Sequence, residues 1–282
     1  MADALSSREN FRSKFASWGF AKTLTSHVCA TVRNPAAAGK EAPMSYENIV
    51  KYYDCIFPLQ AATLKFLRNT FSPSHPVLDV GCGSGEYTIG LASSGYSVHG
   101  CDLDPAMVSR AEAKAREQNA GATFSVGSMT DLSRLFPAAS FGGLFCIGNT
   151  LAHAAGHDQL AAICGQCHAL LQPAGRIVLQ IINYDRIVSQ NLTGLPTIEN
   201  HERGLSFERR YAIAFPMVTF TTTLRVDGIT ETSVNQLYAV TCDELVQCLQ
   251  GAGFSQIETY GSFAPAPFDL NASQPLIIRA RK

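Results

Sequence analysis

Apolar and polar positions alternate along this chain with two different periods. Tyr46, Ile49, Tyr52 and Tyr53, then Leu59, Leu64 and Leu67, recur at helical spacing, so residues 45–71 predict helix broken at Pro58. Val77–Val80 is a short continuous apolar run ending in glycines, as a buried strand does. Residues 86–93 read as helix ending at Gly95. The stretch YSVHGCDLD reads as strand, and Pro105 opens a helix rich in Ala, Glu, Lys and Arg that reaches about Asn119. ATFSVG and FGGLFCIGN read as strands, Asp158–Leu171 as helix, and GRIVLQIIN as a long apolar strand. This strand–helix alternation predicts a doubly wound, mostly parallel sheet covered on both faces.

From about residue 200 the period becomes two. LSFERRYAIAF, MVTFTTTLRVDG and ITETSVNQLYAV alternate polar and apolar residues, with Asp227-Gly228 as a turn signal. They predict antiparallel strands, at about 200–240, added to the parallel core. A helix over 242–250 and two strands, QIETYGSF and PLIIRAR, follow. The expected architecture is α/β and Rossmann-like, with seven strands in the main sheet and an antiparallel insertion.

Composition narrows the function. The 282 residues are 46% hydrophobic and 16% charged, with a formal net charge of -1. Such a chain can bury a large core. It carries no basic stripe with interleaved aromatics, so a nucleic-acid groove is not expected. No apolar run reaches membrane-spanning length. Nine scattered cysteines do not form a disulfide framework, which points to a reducing, intracellular compartment. Residues 1–43 differ: Phe11, Phe15, Trp18 and Lys22 lie at helical spacing in a basic, serine-containing stretch. They are read either as a transit peptide, making the location organellar rather than cytoplasmic, or as an N-terminal extension. The domain proper is placed at 44–282.

The chemistry begins at Gly81, Gly83 and Gly85, between a strand and a helix. Such a turn tolerates positive φ and offers unpaired N–H groups to an anion. The dinucleotide fingerprint places its third small residue where this chain has Glu86, so a nucleotide-dependent oxidoreductase is disfavoured. Asp79 precedes the turn, and Asp102 ends the second strand.

VLDVGCGSG followed by VHGCDLDPAM resembles the signature of class I S-adenosylmethionine-dependent methyltransferases. The resemblance implies that S-adenosyl-L-methionine is the cofactor. It implies that Gly81, Cys82, Gly83 and Gly85 back its methionine half, and that Asp79 meets its amino end. Asp102, rather than nearby Asp104, would accept from the ribose hydroxyls, and Leu103 and Ile147 would flank the cofactor. Where the family shows a Gly-Asp pair near adenine, this chain has Gly127-Ser128, so Ser128 and Met129 are the expected contacts.

CIGNTLAHA and INYDRI resemble the glycine and sarcosine N-methyltransferase branch. That implies Asn149, Asn183 and Tyr184 around a small-molecule acceptor, with Asp185 in support and His153 as candidate base. Tyr52 and Tyr53 would close over the site. The branch places an arginine where this chain has Ile182, which speaks against glycine as acceptor; Arg186, Arg209 and Arg210 are the available substitutes. The alternative is a cofactor-binding protein of the same fold without catalysis. CGQCH at 164–168 matches a haem-attachment pattern but falls mid-helix, and no second pair has zinc-ligand spacing, so no metal is expected.

Overall fold

A computed structural model describes residues 47–282. The readings of residues 1–43 and of Tyr46 lie outside the described residues. The chain runs through α1 (Glu47–Ile56), α2 (Ala61–Thr70), β1 (Val77–Val80), α3 (Glu86–Ala92), β2 (Val98–Asp102), α4 (Pro105–Glu117), β3 (Thr123–Val126), α5 (Leu132–Leu135) and β4 (Phe141–Cys146). Next come a 3-10 turn (Thr150–His153), α6 (His157–Leu170), β5 (Leu171–Ile182), α7 (Tyr184–Ser189) and β6 (Gly194–Asn200). After a second 3-10 turn (His201–Arg203) follow β7 (Leu205–Ala214), β8 (Met217–Val226), β9 (Ile229–Tyr238), α8 (Cys242–Gly251), β10 (Ser255–Ser262), β11 (Ala266–Pro267) and β12 (Pro275–Arg281).

The main sheet has the order β11-β10-β12-β5-β4-β1-β2-β3. Strands β1 to β5 are parallel, and β12 enters antiparallel against β5. The seven strands read from the sequence are joined by the two-residue edge strand β11. Val77, Leu78 and Val80 are buried on both faces of the sheet, which is why β1 reads as an unbroken apolar run.

The antiparallel strands do not extend this sheet. They form a second one, β6-β7-β8-β9. Strand β6, with Pro196 inside it, was not visible in the alternation. One face of this sheet is anchored at both ends. Leu205, Phe207, Leu224 and Val226 pack with Tyr52 and Ile56 of α1. Tyr211, Val218 and Leu237 join the main core with Leu151 and Tyr184.

Candidate active site

The site is built around the turn after β1. Gly81 and Cys82 donate their N–H groups to the Cys101 carbonyl, at 2.7 and 3.1 Å, which holds the turn against the end of β2. Gly81 has φ +75° and Gly83 φ +52°, the left-handed region that favours glycine. A Cβ on Gly81 would lie 2.5 Å from Thr150 Cγ2, and one on Gly83 would lie 3.2 Å from the Tyr53 ring. Gly85 then caps α3.

The two aspartates take different roles. Asp102 Oδ2 accepts the Gly83 N–H at 2.7 Å, and Oδ1 accepts the Asp104 N–H at 2.9 Å. Asp104 is engaged as N-cap of α4, accepting from the Ala106 N–H at 2.8 Å. Asp79 is 2% exposed, and among the described residues its carboxylate accepts one hydrogen bond, from Thr88 Oγ1 at 2.6 Å. Burial pushes the Asp79 carboxyl up to about 7; the Thr88 bond opposes this and the Asp102 charge adds to it.

A cleft of about 340 Å³ opens beside the turn. Asp79, Gly81, Cys82, Ile147, Gly148 and Tyr53 line it, with Gln180 and the apolar Ile56, Phe57 and Phe263. That volume is in the usual range for a small-molecule site. Burial raises the Tyr53 phenol well above its ordinary range, and nearby Asp102, Asp79 and Asp54 add to the effect. Leu103 is 70% exposed beyond Asp102. The Gly127 N–H donates to the Asp102 carbonyl at 2.8 Å, so Ser128 and Met129 begin next to that strand end. Neither lines the cleft, and Ser128 Oγ pairs with Thr130 Oγ1 at 2.8 Å.

A charged cluster missed in the sequence fixes α1 over the turn. Asp54 accepts from Ser84 Oγ, from Arg110 at 2.8 Å and from Lys114 at 3.1 Å, and Lys114 reaches Glu86 at 2.5 Å. Burial pushes the Asp54 carboxyl up, but these three donors outweigh it and leave it below the ordinary value. Arg110 and Lys114 are four apart on one face of α4, the only local hint of the cluster.

The acceptor-side candidates make bonds to the surrounding fold. Asn183 is 1% exposed; it donates to the Leu270 and Ser273 carbonyls at 3.0 and 2.9 Å and caps α7 through the Arg186 N–H. Tyr184 is fully buried, and burial pushes its phenol up to about 12. Asp185 accepts the Cys242 N–H at 2.8 Å. All three are held by structural bonds and do not line the cleft. Asn149 has φ +70°; it donates to the Tyr184 hydroxyl at 2.9 Å and accepts the Ile182 N–H at 3.0 Å, bonds that use one of its two amide N–H groups and one carbonyl lone pair. Tyr52 points to the second sheet, where its hydroxyl meets Asp227 at 2.5 Å, so only Tyr53 of the pair lies over the turn. His153 is exposed and does not line the cleft; desolvation lowers its pKa. Cys164 and Cys167 are buried in the core, and the His168 ring meets Phe254 edge-on at 5.1 Å, so CGQCH packs α6. Among the described residues, no group of three or more His, Cys, Asp or Glu is placed to hold a metal. No helix among them is long and apolar enough to cross a membrane.

Residues 77–175 match a family model described as a methyltransferase domain. The chain is 31% identical over 153 residues to a dTDP-3-amino-3,6-dideoxy-alpha-D-glucopyranose N,N-dimethyltransferase of Streptomyces fradiae, covering 51% of this chain and 57% of that protein. It is 30% identical over 112 residues to a glycine/sarcosine N-methyltransferase of Parasynechococcus marenigrum, covering 40% and 39%. The match thus spans about half or less of each relative's length. Among solved structures, the CcbJ methyltransferase of Streptomyces caelestis superimposes with a TM-score of 0.70 at 22% identity, over 83% of this chain and 95% of that one. An S-adenosylmethionine-dependent methyltransferase from Clostridium acetobutylicum gives 0.71 at 16% identity, over 84% and 98%. Residues 77–175 are therefore a methyltransferase domain, and the fold that carries it is that of the class I S-adenosylmethionine-dependent methyltransferases.

Proposed function

We propose that the protein transfers a methyl group from S-adenosylmethionine to a nitrogen or oxygen of a small-molecule acceptor. The observation that carries this reading is the pairing of two carboxylates with one glycine turn: buried Asp79 on the cleft wall, and Asp102 at the strand end beyond Gly83. An acid buried with a single hydroxyl partner suits a ligand that brings a cation. The missing side chains at Gly81 and Gly83 leave room for close approach. When bound there, S-adenosylmethionine supplies an electrophilic methyl group.

The residues divide the work. Asp79 holds the cofactor's ammonium, and the N–H groups at the start of α3 face its carboxylate. Asp102 keeps lone pairs for the ribose hydroxyls beside its two backbone bonds. Leu103, Ser128 and Met129 border the adenine, and Ile147 lies on the cleft wall. Tyr53 and Phe57 cover the cleft and limit water. Methyl transfer asks chiefly for in-line placement of an uncharged lone pair. Asn149 directly follows cleft residue Gly148 and keeps one amide N–H and one carbonyl lone pair beyond its two bonds, so it and His153, on the turn that follows, are the candidates for placing the acceptor.

The Asp79 carboxyl sets a pH dependence. Its folded value is raised from 3.8 to about 7, so its contribution to the free fold is full below the lower value and is lost as pH rises through the upper one. Cofactor binding runs the other way, because pairing with an ammonium needs the ionised form. Affinity should fall about tenfold per unit as pH drops below about 7, with proton release on binding, and Asp79→Asn should flatten the profile. Calorimetry in buffers of different ionisation enthalpy reads the proton directly; a wild-type profile as flat as the variant's contradicts this role.

Turnover is tested with methyl-labelled S-adenosylmethionine and a panel of small amines, phenols and carboxylates, using full-length protein and a form starting at Met44. Labelled product from at least one acceptor is expected. Tight cofactor binding without any transfer supports the non-catalytic alternative.

A further inference from the structure

The second sheet carries a polar band on the face that it turns to the rest of the domain. Its register places Arg209, Thr222 and Ser233 side by side across β7, β8 and β9. Tyr211, Phe220 and Asn235 form the next row, and Phe207, Leu224 and Glu231 the row on the other side. Directly opposed residues share a face, so these rows form one surface. Thr222 is 5% exposed, Ser233 3% and Tyr211 6%. Apolar anchors close the band at both ends, with Phe207 at one and Val218 and Leu237 at the other.

Three of the four buried side-chain polar atoms that have no hydrogen-bond partner among the described residues lie on this face: Arg209 Nε, the Tyr211 hydroxyl and Glu231 Oε2. Arg209 donates once, to the Pro196 carbonyl at 2.5 Å, and forms no ion pair among the described residues. Burial lowers its pKa, and the Tyr211 phenol opposes this. Arg209 as a whole is half-buried, but its Nε is buried, and buried donors are normally satisfied.

The band also adjoins the cleft. Phe57, a cleft residue, meets the Phe207 ring edge-on at 5.6 Å. From the other side, cleft residue Gly148 leads to Asn149, whose amide holds the Tyr184 hydroxyl, and Tyr184 is close enough to Tyr211 to influence its ionisation. The neighbouring Arg210 points to the opposite face, where it is exposed and paired with Glu208 at 2.7 Å. Only Arg209 lies in this band.

We propose that Arg209 and Tyr211 bind an oxyanion on the methyl acceptor, which makes the substrate class small amines or phenols that carry a carboxylate or a phosphate. A guanidinium and a phenol hydroxyl together offer converging donors to two anionic oxygens. This assignment rests on the methyl-transfer reading.

The test compares acids with matched neutral molecules on full-length protein saturated with S-adenosylhomocysteine. The pairs are 4-hydroxybenzoate and 4-methylphenol, β-alanine and propylamine, and O-phosphoethanolamine and ethanolamine. At least one acid should bind about tenfold or more tightly than its partner, and whether it is a carboxylate or the phosphate identifies the anion. Arg209→Gln should erase the preference, and Arg209→Lys should keep part of it. Tyr211→Phe should weaken acid binding several-fold with an unchanged or raised Tm, since it removes only an unpartnered hydroxyl. S-adenosylhomocysteine affinity should be unaltered in all three variants. No preference for any acid, or a preference that survives Arg209→Gln, overturns the assignment. Failure of S-adenosylhomocysteine to bind at all would instead strike the methyl-transfer reading, and the same pairs titrated without it still decide between acid and neutral ligands.

Discussion

Replacing Asp102 by alanine is expected to weaken S-adenosylmethionine binding by roughly 3 kcal/mol, about a hundredfold. Two hydroxyl donors would lose a charged acceptor, and each such bond contributes about 1.5–3 kcal/mol. The same change frees the Gly83 and Asp104 N–H groups, so the turn itself loses an anchor. Asp104→Ala separates these effects. Asp104 is bound to the start of α4, and its loss should cost about 1 kcal/mol of stability, as N-cap losses do, with cofactor affinity nearly intact. Calorimetric titration and thermal melts on both variants check the pair. An unchanged affinity in Asp102→Ala contradicts the ribose assignment.

Gly81→Ala is expected to destabilise the fold by about 3 kcal/mol, a drop in Tm of roughly 9 °C for a domain of this size. Two causes add. An alanine at φ +75° carries left-handed strain of about 1–2 kcal/mol. Its Cβ would also come within 2.5 Å of Thr150 Cγ2 and 2.7 Å of Thr150 Oγ1, an overpacking cost of about 1–3 kcal/mol. The turn after β4, which brings Ile147 and Gly148 to the cleft, must then shift, so cofactor binding should suffer as well. Thr150→Ala removes both close atoms but not the strain. Combined with Gly81→Ala, it should recover the steric part alone, and the two changes should couple rather than add. A Gly81→Ala protein that melts like wild type would show that the turn does not need glycine there.

The parts of this account legible in the sequence are those with local causes. Val77–Val80 and the glycines after it announce a buried strand and a tight turn within a few residues. The N-cap role of Asp104 is also local, since Pro105 follows it at the start of α4. Alternation marked β7, β8 and β9 as an antiparallel insertion beside the parallel core, but it says nothing about partners, so it did not show that they form a sheet of their own with β6. Strand β6 escaped because Pro196 and Gly194 mask its pattern.

The bonds made by the acceptor-side candidates were not legible for a different reason. Asn183, Tyr184 and Asp185 sit where a resemblance placed them, yet side-chain direction depends on which backbone groups need partners nearby. Asn183 satisfies the carbonyls of the segment before β12, eighty or more residues away. Asp54 and Lys114 are likewise joined only by the fold. The orphaned atoms of Arg209 and Tyr211 could not be seen in a sequence at all, because a missing partner is a property of packing.

The central claim is that the glycine turn, Asp79 and Asp102 hold S-adenosylmethionine. Its most direct test is isothermal titration of the wild-type protein with S-adenosylmethionine and S-adenosylhomocysteine at pH 8, above the Asp79 transition near 7. Saturable one-to-one binding of both, weakened in Asp102→Ala, is the predicted result. No heat from either ligand up to about millimolar concentration, where a binding free energy of only about 4 kcal/mol would still register, contradicts it.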